Sequence, residues 1–381
     1  MKIVTVETFL VAPRWCFLRI QTDEGITGWG EPVVEGRAHT VATAIAEFAD
    51  YLIGQDPLRI EQHWQVLTKG GFYRGGPVLS SAVAGVDQAL WDIAGKALGV
   101  PVYQLLGGPV RDRVRMYAHV PIEPEILAEQ AAQRVAAGFT AIKLSAPVQQ
   151  RALDTPRAVK EIVEAVATAR EVVGDEIDVA LDLHGRLTLP ATRRLLPLLE
   201  PLLPLFIEEP TVPELSGQLA RIVADTSIPI ATGERLFSRW DFAPVLQAGV
   251  GVIQPDLSHA GGISEVRRIA AMAEVYDATL APHCPLGPIA LAASVQVGFA
   301  VPNLLVQEQV LSTGEYDALP RGFEYLVDTS VFAYRDGFMD PPTAPGLGIE
   351  VDEEAVLRAA EVGHRWRNPR VRRDDGSPGE W

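Results

Sequence analysis

Cysteine is scarce: Cys16 and Cys284 are the only two in 381 residues. That is too few for a disulfide framework or a thiolate zinc site. No run of about 18 apolar residues suggests a membrane span. The opening MKIVTVETFL lacks the long apolar core and cleavage site of a signal peptide. Positive charge is in deficit, with 33 Lys and Arg against 49 Asp and Glu and a formal net charge of −16. This balance argues against nucleic acid and anionic membranes as partners. An anionic small molecule stays open, because a bound metal reverses the sign of the local field. Hydrophobic content of 48% and charged content of 22% are those of an ordinary globular chain. The expectation is a soluble, acidic, cytoplasmic protein.

What is present divides into two textures. KIVTVETFLV and WCFLRIQTDEGITGWGEP read as strands joined by turns, with Asp23-Glu24-Gly25 as a hairpin bend. Helical stretches follow. In SSAVAGVDQALWDIAGKALG, Val83, Val86, Asp87, Leu90, Trp91 and Ala94 fall at helical spacing, and Gly99 suits the stop. Strands followed by clustered helices indicate a small α+β unit.

From about Arg115 the chain becomes repetitive. Strand-like runs fall at Arg115–Val120, Thr140–Leu144, Ile177–Leu183, Leu205–Ile207, Ile228–Thr232, Val250–Gln254, Ala278–Ala281 and Leu304–Gln307. Helical patterns fill most gaps. One is well punctuated, with Thr155 as N-cap, Pro156 at the first helical position and Gly174 past the end. Eight strands alternating with helices fit a (β/α)₈ barrel. An open doubly wound sheet is the rival, but no Gly-rich nucleotide loop follows the first strand. The tail from about Glu324 is Pro-rich, then helical at Asp352–Gly363, and is expected to pack back on the N-terminal unit.

Three carboxylates stand at even steps in the barrel region. Asp182 in VALDLHG, Glu208 in LFIEEP and Glu234 in IPIATGE are each 26 residues apart. A strand, a helix and two short loops consume about that length. Parallel strands therefore deliver all three to one rim, where they repel one another unless a cation lies between them. Oxygen-only ligation points to Mg²⁺ or Mn²⁺. The same rim carries Lys143, His184, Asp256, His283 and Glu308. Strands 3 and 7 are four apart in an eight-membered ring, so His184 and His283 face each other across the mouth. That suits removing a proton at one carbon and protonating a leaving group at the next. Asp256 can accept the His283 Nδ1 proton. His184, two residues from Asp182, shares its face of the strand, which leaves metal ligation open for it too. Glu308 either hydrogen-bonds a developing oxyanion when protonated or balances charge.

KLS, DLHGR, FIEEP, TGERLFSR, QPDLSHAGG, APHCPLGP and QEQ at these spacings resemble the mandelate racemase branch of the enolase superfamily. Within that branch the chain is most similar to galactonate-type aldonate dehydratases. GWGEPVVEGRA, GGFYRGG, DQALWDIAGKALGVPVY and WRNP extend the likeness over nearly the whole chain. The resemblance implies a modified (β/α) barrel over 115–323, lacking its eighth helix. It also implies an α+β capping domain from both chain ends, 1–114 and 324–381. It implies Mg²⁺ on Asp182, Glu208 and Glu234, with His283 and Asp256 as the base dyad. His184 is then the general acid, Glu308 steadies the intermediate, and Lys143 lies by the substrate carboxylate. Arg14, Trp15, Tyr73 and Arg74 are the capping-domain candidates for contact with an acid sugar. A homo-oligomer is expected by analogy.

Three departures leave the sugar open. Ser145 stands where galactonate dehydratases carry asparagine, strand 1 continues as HVPIEPE, and VLSTGEYDALPRG follows QEQ. One alternative is a racemase or epimerase, whose familiar second base is a lysine at the position of Ser145. Another is a catalytically silent barrel used for assembly or ligand sensing, whose signature would be a lost metal ligand or base, and neither is missing.

Overall fold

A computed structural model describes residues 1–148, 151, 155–311 and 322–380. The chain opens with an antiparallel sheet of β1 (Ile3–Val11), β2 (Trp15–Thr22) and β3 (Thr27–Gly30), in the order β1-β2-β3. The expected bend lies between β2 and β3, where the Gly25 N–H donates to Thr22 O. Then come α1 (Ala38–Leu52), α2 (Ile60–Lys69), α3 (Gly76–Leu98) and the short α4 (Val102–Leu105). The GWG motif sets how closely β3 approaches α3. A Cβ on Gly28 would lie 2.2 Å from Ala89 O, and one on Gly30 would lie 2.1 Å from Gly85 O. Only glycine permits that contact.

Strand β4 (Val114–Arg115) leads into the barrel. Its strands are β5 (Ala118–Val120), β6 (Ala141–Ser145), β7 (Asp178–Asp182), β8 (Ile207–Glu208), β9 (Ile230–Thr232), β10 (Val252–Ile253) and β11 (Thr279–Leu280). They form one parallel sheet in sequence order. Between them run α5 (Pro124–Ala136), α6 (Pro156–Val173), α7 (Leu189–Leu199), α8 (Leu219–Ala224), α9 (Arg239–Gln247) and α10 (Gly262–Glu274), and α11 (Pro288–Ala300) follows β11. As expected, Thr155 caps α6 by accepting the Ala158 N–H, and Gly174 ends it.

The expected eighth strand needs correction. Among the described residues, Leu304–Gln307 makes only isolated bridges, Leu304 to Leu280 and Gln307 to Met116. Those bridges still close the ring. Leu280 N donates to Asn303 O at 2.8 Å and Gln307 N donates to Arg115 O at 2.8 Å, joining both edges of the sheet. Two strand-like contacts suffice where flanking strands are only two or three residues long.

Period-two alternation explains what the barrel encloses. Its floor is a buried cluster that includes Tyr117, Ala141, Ala180, Phe206, Ala281 and Val306. Two residues onward from these six stand His119, Lys143, Asp182, Glu208, His283 and Glu308. Small and apolar side chains thus plug the bottom, and the same strand faces present ionisable groups at the C-terminal rim.

The N-terminal unit seals that rim by capping barrel helices. Asp87 of α3 accepts the Ser264 N–H at the start of α10. Glu31, just after β3, accepts the Gly287 and Ala290 N–H groups at the start of α11. These side-chain oxygens satisfy orphan helix donors. Gln88 adds a bond to Leu257 O, and Trp64 one to Gly261 O. Farther on, β12 (Phe338–Met339) pairs with β4, and α12 (Glu353–Val362) packs on β1. Asp352 caps α12 through the Ala355 N–H. The His364 ring bonds Trp15 O, and Tyr325 donates to Ala12 O. No helix among the described residues is long and apolar enough to cross a membrane.

Candidate active site and metal centre

Asp182 ends β7, Glu208 ends β8, and Glu234 follows β9 by two residues. One ligand oxygen from each lies within 4.8 Å of the other two. Asp182 and Glu208 are buried. Lys143, on the neighbouring β6, reaches into the same group. Its Nζ lies 3.3 Å from Asp182 Oδ2, 3.1 Å from Glu208 Oε2 and 2.8 Å from Glu308 Oε1. Burial opposes the ammonium, but Glu208 and Glu308 overcome it and hold Lys143 well above its ordinary range. Burial and the nearby Asp182 push Glu208 well above the usual carboxylate range.

A cation fits this group on two observations. One ammonium faces three carboxylates, Asp182, Glu208 and Glu308, and Glu234 Oε2 is buried with no hydrogen-bond partner among the described residues. Three hard oxygens of this spacing suit a small divalent ion that keeps water in its remaining positions. A second cluster, Asp256, His259 and His283, also brings potential ligand atoms together. Asp256 is already engaged there, accepting the Ser258 N–H at 2.6 Å on Oδ1 and bonding His283 Nδ1 at 2.8 Å through Oδ2. That bond fixes Nε2 as the imidazole atom turned to the cavity, where it stands 3.4 Å from Glu234 Oε2. Burial alone would lower His283, but Glu234, Glu308 and Asp256 hold it well above the ordinary imidazole value.

His184 lies past the end of β7, with φ of +48°. Strand alternation therefore does not extend to it, yet it still meets Asp182. Its N–H donates to Asp182 Oδ1 at 2.8 Å, and its Nε2 lies 3.1 Å from Asp182 Oδ2. Burial holds His184 below the ordinary imidazole range, against the pull of Asp182. Glu308 is saturated: Lys143, His119 and the Cys284 N–H all reach its oxygens. Burial works to raise Glu308, but Lys143, His283 and the His119 bond hold it well below the usual range. Of its two readings from sequence, charge balance is the one this geometry favours.

Lys143, Asp182, Glu234 and Glu308 line one cavity of about 410 Å³, with His184 and His283 both on its wall. Arg14, Ser145, Arg186, Arg235 and His259 line it as well. Arg14 donates to Pro285 O at 3.1 Å and lies 3.9 Å from Glu35. The other capping candidates are not brought here. Trp15 is in the core, stacked with Phe17 and edge-on to Tyr325. Tyr73 is 88% exposed, and with Arg74 it lines a separate cavity beside Trp64 and Trp240. Trp15 is withdrawn because an apolar partner from the far end of the chain covers it. Tyr73 and Arg74 are withdrawn because the cavity they line is walled by α1, α2, α3 and α9 and holds none of the rim carboxylates or imidazoles.

Sequence reasoning missed His119, Glu35, His259 and Arg235. His119 could have been found, being two residues on from the inward Tyr117. His259 lies 3.4 Å from Glu35 and 3.8 Å from Asp256, a contact between units that no local pattern announces.

The comparisons agree with this architecture. The family described as mandelate racemase / muconate lactonizing enzyme, N-terminal domain, matches residues 3–107, and the enolase C-terminal domain-like family matches 126–355. D-galactonate dehydratase of Ralstonia pickettii (strain 12J) is 51% identical over 384 residues, covering all of both chains. That of Variovorax paradoxus (strain S110) is 50% identical over 383 residues, again covering all of both. An enolase of Agrobacterium radiobacter, solved with Na and L-malate bound, superposes with a TM-score of 0.91 at 34% identity and full coverage of both chains. A member of the enolase superfamily from Salmonella Typhimurium gives 0.88 at 31% identity, covering 94% of this chain and 98% of its own. The chain belongs to the mandelate racemase / muconate lactonizing enzyme family of the enolase superfamily.

Proposed function

We propose that this chain is a Mg²⁺-dependent acid-sugar dehydratase, a hydro-lyase acting on D-galactonate or a closely related aldonate to give a 2-keto-3-deoxy acid. One observation carries the reading: three carboxylates converge beside an Asp256-anchored imidazole, and two of them, Asp182 and Glu234, share one cavity wall with both His283 and His184. The full-length likeness to D-galactonate dehydratases supports the substrate class. The proposal includes a barrel over 115–323 under a cap made of 1–114 and 324–381, a cytoplasmic location and assembly with copies of itself.

Asp182, Glu208 and Glu234 would hold the ion. A divalent cation held by them would supply positive charge against the charge that develops when C2 loses its proton and against the acidic field that raises His283. Lys143 donates to the substrate carboxylate. His283, oriented by Asp256, takes the C2 proton through Nε2. His184 protonates the departing C3 hydroxyl, and the enol product tautomerises to the ketone. Such acid–base assistance contributes about 10²- to 10⁴-fold in rate. Arg14 contacts the distal hydroxyls.

A second reading exchanges the imidazoles, because the acidic neighbours raise His283 while burial lowers His184. Racemisation is disfavoured because Ser145, on the cavity wall, is a weak candidate for a second base. The test is the purified protein with Mg²⁺ against a panel of aldonates and aldarates. Keto-acid formation from D-galactonate or a stereoisomer is expected. Failure of every acid, or C2 exchange without loss of the C3 hydroxyl, overturns the proposal.

A further inference from the structure

Two strained residues flank the catalytic turn. His184 and Glu209 have φ of +48° and +40°, in the left-handed region that side-chain-bearing residues seldom adopt. They follow the ends of neighbouring strands β7 and β8. Such conformations persist only where the surroundings over-determine them, and here an ion pair joins the His184 N–H bond to Asp182 in doing so. Arg235 grips Glu209 with a fork, Nε to Oε1 at 2.9 Å and Nη2 to Oε2 at 2.6 Å. The same Nη2 donates to His184 O at 3.3 Å. From the other side, Glu209 O accepts the Gly185 N–H at 2.8 Å.

The fit is close. Gly185 has φ of +63°, and a Cβ there would lie 2.7 Å from Arg235 Nη2 and 3.0 Å from Val212 N. The glycine thus lets the guanidinium approach the peptide that carries His184. Glu209 is 1% exposed and stands outside the carboxylate cluster, so Arg235 is its charge partner. A forked arginine holds such a geometry better than a lysine can.

We propose that Arg235 and Glu209 form a positioning unit that locks the His184 backbone and so aims its imidazole at the leaving hydroxyl. The pair governs expulsion of the C3 hydroxyl and not removal of the C2 proton. This rests on the reading of His184 as general acid, and the test separates the two.

Wild type, H184A, R235K and E209Q are compared in D₂O with Mg²⁺. The substrate is D-galactonate, or whichever aldonate of the panel the wild type dehydrates. NMR follows C2 deuterium exchange and keto-acid formation together. R235K keeps the charge but loses the fork, while E209Q keeps the shape and one acceptor and is the milder change. Misplacement of about 1 Å costs on the order of 10²-fold. R235K is therefore expected to lose about 100-fold in kcat for dehydration and E209Q about 10-fold, both with KM within about threefold and C2 exchange at or above the wild-type rate. Unchanged dehydration in both, or equal loss of exchange and dehydration, overturns the proposal. So does a rise in KM alone, which would make Arg235 a substrate contact. If H184A uncouples exchange from dehydration and the other two do not, the clamp alone fails. If H184A loses both, the reading of His184 falls and the clamp falls with it.

Discussion

Replacing Asp87 with asparagine tests how the capping unit is fastened to the barrel. Asp87 is buried in α3, and its Oδ2 accepts the Ser264 N–H at 2.9 Å. Its Oδ1 is buried with no hydrogen-bond partner among the described residues. Burial pushes this carboxyl up to about 7 from an ordinary 3.8, against the bonds from Ser264. A raised folded-state value means the neutral form is preferred in the native protein. The stabilising contribution is therefore complete below pH 3.8 and is lost as pH rises through about 7. The full loss is on the order of 4 kcal/mol. Asparagine keeps the acceptor for Ser264 and never ionises, but it places a donor where Oδ1 lacks a partner, costing about 1 kcal/mol. At pH 5 the two proteins should differ by no more than about that amount. At pH 8.5 D87N should be the more stable by about 3 kcal/mol, which for a chain of this length is roughly 4 °C in Tm. Thermal melts of both proteins from pH 5 to pH 8.5 measure this. Parallel Tm curves over that range would refute the reasoning.

Chelation should stop turnover and added Mg²⁺ should restore it; activity unchanged in excess chelator, followed as keto-acid formation, counts against the metal scheme. Lys143→Met leaves buried carboxylates without their ammonium and should cost about 3–5 kcal/mol in metal-free buffer. Denaturant titrations should show Mg²⁺ recovering much of that loss, and an unchanged midpoint without metal would contradict the charge balance described. Glu31→Gln can offer only one acceptor to the two helix donors of Gly287 and Ala290, so stability should fall by about 1–3 kcal/mol. A midpoint equal to wild type would show that this cap is dispensable.

The carboxylate triad was legible because it depends on chain-local facts. An apolar run ending in an acid, repeated every 26 residues, is enough to place oxygens on one rim of a parallel barrel. Thr155 was readable for the same reason, since a cap is decided within one helical turn. What escaped was decided across distance. Glu35 meets His259, and Arg235 meets Glu209, through folding that no spacing rule encodes. Trp15 looked available to a ligand until Tyr325, some 310 residues later, covered it. Alternation predicted where His184 would point but not that the strand ends at Asp182 and turns left-handed. The eighth strand shrank to two bridges for a related reason: apolar composition marks where a segment lies, whereas ladder length depends on its neighbours.

The division of labour between the imidazoles is tested most directly by C2 proton exchange in D₂O with Mg²⁺ and D-galactonate, comparing H283A with H184A. The account predicts that H283A neither exchanges the C2 proton nor forms keto acid, while H184A still exchanges but does not dehydrate. Exchange that survives in H283A and disappears in H184A would contradict it.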